Sequence, residues 1–223
     1  MNMALELKKT DDSSLTLYVP DLDEHYHSYH GALQEANHVF IKNGIEPINS
    51  QSVRILEVGF GTGLNALLTA CASDKSGREI NYIGVEAYPV ATDLLGELNY
   101  PSLIENDNAE AYYERIIHDR WGKEQKISKT FTLTKLEQKI EKCEFGKKFN
   151  LIYFDAFGPR VQQEMWSDSI MKKMYDCLQS NGFLVTYCAQ GQFKRDLKKV
   201  GFKVVGMPGP PGKREMVKAI KNK

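Results

Sequence analysis

Short apolar runs alternate with amphipathic stretches along most of the chain, and this alternation predicts its elements. Runs rich in β-branched and aromatic residues predict strands at 52–58, 80–86, about 130–134, 149–154 and 182–188. Stretches with helical spacing predict helices near 64–73, 89–98, 109–119, 163–179 and 191–200. Because strands and helices alternate, we expect an α/β fold with a mostly parallel, doubly wound sheet that helices cover on both faces.

The two ends of the chain depart from this alternation. Residues 4–19 predict two short strands that form a hairpin, and a helix follows from about 31 to 42. Near the carboxyl end, 202–205 and 215–220 predict two short strands joined by a Gly/Pro loop, which makes them an antiparallel pair. We interpret 1–223 as a single domain, in which 1–50 form an N-terminal extension and lid and 51–223 form the core.

The composition is that of a globular protein and adds information mainly at the carboxyl end. The 223 residues are 42% hydrophobic and 26% charged, enough for one α/β domain with a full core. The net charge is zero, yet 191–223 contain ten Lys or Arg against two acids, so this segment carries +8 and the rest −8. Such a surplus is either a solvated face or a patch that attracts phosphate groups.

The same composition argues against several classes of protein. The four cysteines are scattered without the spacing of metal ligands or of a disulfide framework. No apolar run approaches the roughly 20 residues that span a bilayer, and the first residues lack the apolar segment of a signal peptide. We therefore expect a cytoplasmic protein with no metal and no membrane partner.

A glycine-rich turn follows the predicted strand 52–58. Gly59, Gly61 and Gly63 let the backbone approach a bound molecule, and the N–H groups of the next helix then face that molecule. A dinucleotide fingerprint needs a further glycine three residues after the second, where Leu64 stands. This spacing, with an acid just before it, is instead typical of proteins that bind S-adenosylmethionine (SAM). A purely structural turn is the alternative.

Two acids lie at the ends of later predicted strands. Glu86 ends strand 80–86, at the distance from the glycines where a carboxylate holds the ribose hydroxyls of an adenosine. Asp155 follows strand 149–154 and precedes an Ala-Phe-Gly-Pro turn. Because the carboxyl ends of parallel strands meet at one edge, we expect both acids and the glycine turn to line one crevice. Asp155 then caps its loop, holds the positive end of a cofactor, or accepts a proton from an amine.

Four of the five histidines fall within residues 25–38. Zinc binding is disfavoured there, because cysteine partners are absent and the spacing is irregular. Ser28 as the N-cap of the following helix accounts for part of the segment. The alternative is a polar lid over the crevice, in which Tyr26, His27 and Ser28 contact cofactor or substrate.

Together these motifs resemble the methyltransferase domain of the MnmC-type tRNA-modifying enzymes, the 5-aminomethyl-2-thiouridine methyltransferases. The matching segments are spread over nearly the whole chain: 24–40, 59–65, 84–86, 155–159 with Trp166, and 212–216. The glycine turn is generic to methyltransferases. The Tyr-His-Ser segment, the Asp-Ala-Phe-x-Pro turn and the Lys-Arg-Glu-Met ending are far more specific.

The resemblance implies a Rossmann-like class I SAM-dependent methyltransferase fold. It also implies methyl transfer from SAM to the amine of 5-aminomethyl-2-thiouridine at the tRNA wobble position, which gives the 5-methylaminomethyl form. The implied site residues are Gly59, Gly61, Gly63, Asn65 and Glu86 for SAM, Asp155 for the substrate amine, and Tyr26, His27, Ser28, Phe157, Pro159, Lys213 and Arg214 for the substrate.

Bifunctional members of this family add a C-terminal FAD-dependent oxidase domain that prepares the amine. The 223 residues leave no room for it, so we expect a stand-alone methyltransferase, with the oxidase step either supplied by a separate protein acting upstream or unnecessary.

Two positions depart from the family pattern, and three other functions stay open. Leu133-Thr134-Lys135 stands where relatives usually have Gly-Asp, which leaves the adenine contact unassigned, and Gly158 replaces a common serine. A small-molecule amine methyl- or aminopropyltransferase on the same fold is one alternative. An NAD-dependent oxidoreductase and an RNA-binding module without activity are the others.

Overall fold

The computed structural model describes residues 4–222, which form two sheets and the helices around them. In chain order the strands are β1 (Glu6–Lys9), β2 (Leu15–Val19), β3 (Glu24–His25), β4 (Ser52–Val58), β5 (Glu79–Glu86), β6 (Glu124–Lys126), β7 (Phe131–Glu137), β8 (Phe149–Phe154), β9 (Leu178–Thr186), β10 (Phe202–Pro208) and β11 (Glu215–Lys221). The α-helices are α1 (Ala32–Ala36), α2 (Leu64–Ser76), α3 (Thr92–Leu95), α4 (Ala109–His118), α5 (Asp168–Cys177) and α6 (Gly191–Val200). A π-helical stretch, Asn37–Ile45, continues α1, and short 3-10 turns span Pro20–Leu22, Pro101–Leu103, Ile140–Lys142 and Gln163–Trp166.

The larger sheet has the order β10-β11-β9-β8-β4-β5-β7-β6. Neighbouring strands from β9 to β7 are parallel, whereas β11 is antiparallel to both β9 and β10, and β6 is antiparallel to β7. The predicted α/β fold with a mostly parallel sheet and a closing antiparallel pair is therefore confirmed. The predicted N-terminal hairpin is also present as β1 and β2, and β3 extends it to a small three-stranded sheet.

Both faces of the larger sheet are buried, as parallel strands require. Along β4 the side chains alternate between two apolar clusters, with Ile55 on one face and Leu56 on the other. On β8, Tyr153 and Phe154 divide in the same way. The π-helical stretch, α2 and α4 cover the first face, and α5 and α6 cover the second.

Several predicted boundaries are wrong. Strand β7 continues three residues past the predicted end at 134, and β6 was not predicted. The helix predicted at 89–98 is reduced to α3, which the turn at Gly96 ends. The helix predicted at 163–179 is interrupted at Ser167, whose backbone is extended. That break follows from Trp166, whose indole N–H donates to the carbonyl oxygen of Phe157 at 2.8 Å and fixes the turn before α5.

Gly84→Ala tests how closely the glycine turn lies on β5. A Cβ at Gly84 would overlap the ring of Phe60, which is itself held edge-on by Trp121 with ring centroids 5.9 Å apart. We expect the variant to lose about 1–3 kcal/mol of unfolding free energy, the usual cost of overpacking, in urea titrations.

Gly146→Ala is the matched control, because a Cβ there meets no atom within 4 Å. Equal stability of the two variants would contradict the close contact between Phe60 and β5.

Candidate active site

Two cavities open at the carboxyl edge of the larger sheet and meet at the turn after β8. The first cavity has a volume of about 330 Å³ and is lined by the glycine turn, the end of β5 and the loop after β7. The second cavity has a volume of about 220 Å³ and is lined by residues 24–29, Glu35, Tyr187 and Lys213. Both cavities are lined by Tyr26, His27, Asp155, Ala156 and Phe157. Asp155 therefore stands at the junction of the two cavities.

The three glycines of the turn have different surroundings. All have positive φ, the left-handed region that favours glycine. Gly59 and Gly61 line the first cavity, where a Cβ would lie 2.5 Å from the carbonyl oxygen of Asp155 and 3.1 Å from the ring of Tyr26, respectively. Gly63 does not line it: this residue is the N-cap of α2, and its Cβ would lie 2.9 Å from Ile116.

The side-chain amide of Asn65 forms hydrogen bonds with two carboxyl groups next to the glycine turn. Asn65 Nδ2 donates to Glu57 Oε1 at 2.8 Å and to Asp155 Oδ2 at 2.9 Å. Glu57 is fully buried, and burial raises the pKa of its carboxyl well above the ordinary value. Asn65 lines neither cavity, so its contacts orient the carboxylates rather than face the cavities.

The pKa of Asp155 is raised to about 7. Burial is the main cause, and the negative charge of Glu35 adds to it, while the hydrogen bond from Asn65 and the charge of Lys213 act in the opposite direction. A carboxyl group with this pKa can take up and release a proton near neutral pH, as a general base or acid must.

Glu86 lines the first cavity together with Asp155. Its two carboxylate oxygens accept the backbone N–H groups of Gly61 at 3.1 Å and Tyr88 at 3.0 Å. Burial raises the pKa of this carboxyl as well. Glu86 therefore ties the end of β5 to the glycine turn and places a carboxylate at the cavity wall.

The loop after β7 supplies a cavity wall that the sequence reasoning missed. Gln138, Lys139, Ile140 and Glu141 line the first cavity. Lys135 belongs to the segment at which the sequence leaves the adenine contact unassigned. It is buried inside β7, and its ammonium donates to carbonyl groups in the last turn of α4. The position facing the cavity lies further along the chain because β7 is longer than predicted.

The segment 24–29 lies over the glycine turn. The ring of Tyr26 contacts Phe157 edge-on, with centroids 5.1 Å apart, and lies next to Gly61. His27 bonds Thr62 Oγ1 through Nε2 at 2.7 Å, and burial lowers the pKa of its imidazole to about 4, so it is neutral at pH 7. These contacts place both residues at the walls of both cavities.

Ser28 lines the second cavity but does not cap α1. The N-cap of α1 is Gly31, without a side-chain hydrogen bond, and the Ser28 hydroxyl instead accepts the backbone N–H of His30 at 3.2 Å. The alternative of a Ser28 N-cap is therefore wrong, because three residues separate this side chain from the first turn.

The turn after β8 is fixed from both ends. Phe157 donates its N–H to Gln162 Oε1 at 3.1 Å, and its carbonyl accepts the indole N–H of Trp166. Arg160 donates to Glu24 Oε1 at 2.9 Å and so ties the turn to the N-terminal segment. Pro159 lines neither cavity and contributes to the turn itself.

Lys213 and Glu35 form an ion pair at the wall of the second cavity. Lys213 Nζ lies 2.6 Å from Glu35 Oε2 and 3.8 Å from the centroid of the Tyr187 ring. Tyr187 in turn donates its hydroxyl to the carbonyl of Ala156 at 2.8 Å. Arg214 is exposed and lines neither cavity. The sequence reasoning placed Glu35 in a motif but gave it no role.

The basic carboxyl segment is partly neutralised within the fold. Lys194 pairs with Glu215 at 2.7 Å, and Lys221 donates to two backbone carbonyl groups. Across residues 4–222, no helix combines the length and apolar character needed to cross a bilayer. In the same part of the chain, no three His, Cys, Asp or Glu side chains converge as metal ligands would.

The first cavity fits SAM. Its volume is that of a small-molecule site, and the bare backbone at Gly59 and Gly61 permits close approach by a ligand. Glu86 offers acceptors for ribose hydroxyls, and the carboxyl of Asp155 faces the same space, as a cofactor with a positively charged methionine end requires.

The fold and site define a class I SAM-dependent methyltransferase. The chain belongs to the family described as S-adenosyl-L-methionine-dependent methyltransferase, whose family model matches residues 106–222. This membership decides against the NAD-dependent alternative.

The curated relatives confirm the resemblance drawn from the sequence. The chain is 30% identical over 218 residues to the tRNA 5-methylaminomethyl-2-thiouridine biosynthesis bifunctional protein MnmC of Cupriavidus metallidurans, covering 92% of this chain and 32% of the relative. It is 28% identical to the MnmC of Campylobacter hominis, covering 92% of this chain and 31% of the relative. The chain thus spans about a third of the length of the curated relatives it matches.

Solved structures share the fold. MNMC2 from Aquifex aeolicus is 23% identical with a TM-score of 0.78, covering 98% of this chain and 70% of that one. A SAM-bound amino pentose methyltransferase from Micromonospora echinaspora is 13% identical with a TM-score of 0.53, covering 86% of this chain and 92% of that one.

Asp155→Asn should stabilise the protein above neutral pH. The folded pKa of Asp155 is about 7, against about 3.9 for an unperturbed aspartate. Between these values the folded protein holds a proton that the unfolded chain has released, so stability falls as the pH rises through this window. Asparagine is never charged and escapes the loss. We expect the melting temperature of the variant to exceed that of the wild type by several degrees at pH 8, and by about a third as much at pH 5.

Asp107→Asn is the control, because this substitution makes the same chemical change at an exposed position. A difference that is larger at pH 5 than at pH 8 would contradict the raised pKa.

Proposed function

We propose that this protein binds SAM in the first cavity and methylates the primary amine of 5-aminomethyl-2-thiouridine at the wobble position of tRNA. The observation that carries the proposal is Asp155, a carboxyl group with a pKa near 7 at the junction of a cofactor-sized cavity and a second cavity with aromatic walls. The names of the curated relatives support the tRNA substrate.

On the cofactor side, the glycine turn and Glu86 hold the nucleoside. Gly59 and Gly61 present their backbone to the ligand, and the carboxylate of Glu86 accepts hydrogen bonds from the two ribose hydroxyls. The loop 138–141 faces the same cavity and is the proposed adenine contact. Gly63 and Asn65 act indirectly: Gly63 sets the start of α2, and Asn65 orients the two carboxylates. When bound, SAM supplies a methyl group attached to a positively charged sulfur, and the resulting thioether is a good leaving group.

On the substrate side, Asp155 prepares the nucleophile. An alkylamine has a pKa near 10.4, so its neutral form costs about 4–5 kcal/mol at pH 7. The ionised carboxylate of Asp155 accepts one proton from the ammonium group. The lone pair left on nitrogen would then form the new N–C bond as the bond from the methyl group to sulfur breaks, with its electron pair going to sulfur. The surrounding burial, which raises the pKa of Asp155, also disfavours the charged ammonium and so assists this transfer.

The walls of the second cavity suit a pyrimidine base. Tyr26, Phe157 and Tyr187 supply aromatic surface, and Ser28 supplies a hydroxyl. Single-stranded RNA is commonly recognised by splaying out a base and stacking it on aromatic side chains. Arg214 lies exposed beside Lys213, where a cation attracts the RNA backbone. His27 and Pro159 hold the walls in place rather than carry charge.

The amine itself must come from an earlier reaction. A separate FAD-dependent oxidase acting upstream remains the proposed source; the curated relatives are named as bifunctional proteins, and this chain spans about a third of their length.

Hypomodified tRNA incubated with labelled SAM should acquire a methyl group on the aminomethyl nitrogen of the wobble nucleoside, read by mass spectrometry of nucleosides. Asp155→Asn should lower kcat at least a hundredfold, within the range for loss of a general base, while Asp107→Asn leaves kcat unchanged. Transfer to small amines without transfer to tRNA would instead favour a small-molecule amine methyltransferase.

Glu86→Gln should weaken SAM binding by about ten- to a hundredfold, because a hydrogen bond to a charged group contributes about 1.5–3 kcal/mol and an amide offers one acceptor fewer. Isothermal calorimetry with SAM measures the change. Glu79→Gln, at the exposed opposite end of the same strand, is the matched control and should bind SAM like the wild type. Equal affinity of both variants would remove Glu86 from the cofactor site.

A further inference from the structure

The second cavity contains a hydrogen-bond donor and an acceptor side by side, next to Asp155. The donor is the ammonium of Lys213 and the acceptor is the carboxylate of Glu35, joined at 2.6 Å. Both are close enough to Asp155 to influence its pKa in opposite directions. This pair has no part in the proton transfer described above, yet it occupies a wall of the cavity proposed for the base.

The pair is held firmly in position. Glu35 is only 7% exposed and sits in the first turn of α1, where its N–H donates to the carbonyl of Gly31. The backbone N–H of Lys213 donates to Pro210 at 2.9 Å, and His38 binds the carbonyl of Pro208 at 2.8 Å, so the loop before β11 is tied to the helix. The face of Tyr187 restrains the Lys213 ammonium further.

Each partner keeps hydrogen-bonding capacity toward the cavity. An ammonium has three N–H donors, and the hydrogen bonds found within residues 4–222 use one of them, to Glu35 Oε2. Over the same residues Oε1 of Glu35 accepts no hydrogen bond. A ligand in the cavity can therefore bind both groups without breaking their ion pair.

The donor and the acceptor of this pair complement one edge of a uracil ring. Beside the C5 substituent, uracil presents the C4 carbonyl, an acceptor, and then the N3–H, a donor. We propose that Lys213 donates to this carbonyl and Glu35 accepts the N3–H while Asp155 meets the amine on C5. The pair is thus the subsite that selects a uracil-type base. This inference rests on the proposed function and extends it to base specificity.

A cytosine ring would reverse both contacts. Its C4 amino group would point a donor at the ammonium of Lys213, and its bare N3 would point an acceptor at the carboxylate of Glu35. Because a site built to hydrogen-bond a group rejects an analogue that lacks it by large factors, we expect discrimination of at least about a hundredfold in kcat/KM.

The test uses anticodon stem-loops that differ only in the wobble base. They carry 5-aminomethyl-2-thiouridine, its N3-methyl derivative, or 5-aminomethyl-2-thiocytidine. The wild type should methylate the first at least about a hundredfold more efficiently, in kcat/KM, than the other two. This comparison needs no variant and does not depend on the stability of any altered protein.

Two variants then locate the discrimination. Glu35→Gln offers an amide that can donate to the bare N3 of cytosine, so the preference for uridine over cytidine should shrink to less than about tenfold. Lys213→Met keeps the apolar stem beside Tyr187 and loses the donor, so activity on uridine should fall while activity on cytidine does not. Glu46→Gln and Lys42→Met, exposed positions beyond α1, are matched controls and should keep the wild-type preference. Melting temperature and S-adenosylhomocysteine binding establish that each variant is folded.

Three outcomes overturn the subsite. Equal wild-type rates on uridine and cytidine stem-loops would refute it and leave the proposed function standing. A loss by the same factor on every stem-loop in both variants would show that the pair is only structural. Absence of methylation on all three stem-loops would remove the proposed function together with the subsite.

Discussion

Burial of two carboxylates beneath one amide is the constraint on which the rest of the site depends. Strands β4 and β8 are parallel neighbours, with Val58 opposite Phe154, and Asp155 donates its N–H to the carbonyl of Val58 at 2.9 Å. In this register Glu57 is opposite Tyr153, and Asp155 follows two residues later, where the Asn65 amide donates to both carboxyl groups. Burial disfavours the charged form of both carboxyl groups and raises their pKa values, and the shared hydrogen-bond donor offsets part of this effect.

The same constraint explains the glycine turn. A side chain at Gly59 would collide with the carbonyl oxygen of Asp155, and one at Gly84 would overlap the ring of Phe60. Both glycines are therefore required by neighbouring chain segments, even with no ligand bound. The glycines that the sequence assigns to cofactor binding therefore also allow β4, β5 and β8 to pack closely where they end side by side. At Gly61, by contrast, a side chain would meet the ring of Tyr26, which also lines the first cavity.

The sequence was sufficient for the parallel strands of the larger sheet and for Glu86 and Asp155 at the ends of two of them, because the alternation of apolar runs and the rule on carboxyl ends are local and general. It failed where the deciding information is distant. The loop 138–141 was missed because the polar alternation of β7, with Lys135 pointing inward to the end of α4, does not mark where the strand ends. Glu35 was given no role because its partner, Lys213, lies 178 positions further along the chain, and no periodicity links a buried acid to such a cation.

The distribution of the site along the chain bears on how specificity arises in this fold. The part matched by the family model, 106–222, supplies Asp155, Tyr187 and Lys213, but the glycine turn and the whole of the 24–35 segment lie outside it. The N-terminal segment lines most of the second cavity, and the ion pairs of Arg160 with Glu24 and of Lys213 with Glu35 connect it to the rest of the fold. In the proposed site, Asp155 therefore comes from the end of a strand of the larger sheet, whereas the N-terminal segment supplies most of the other walls of the second cavity.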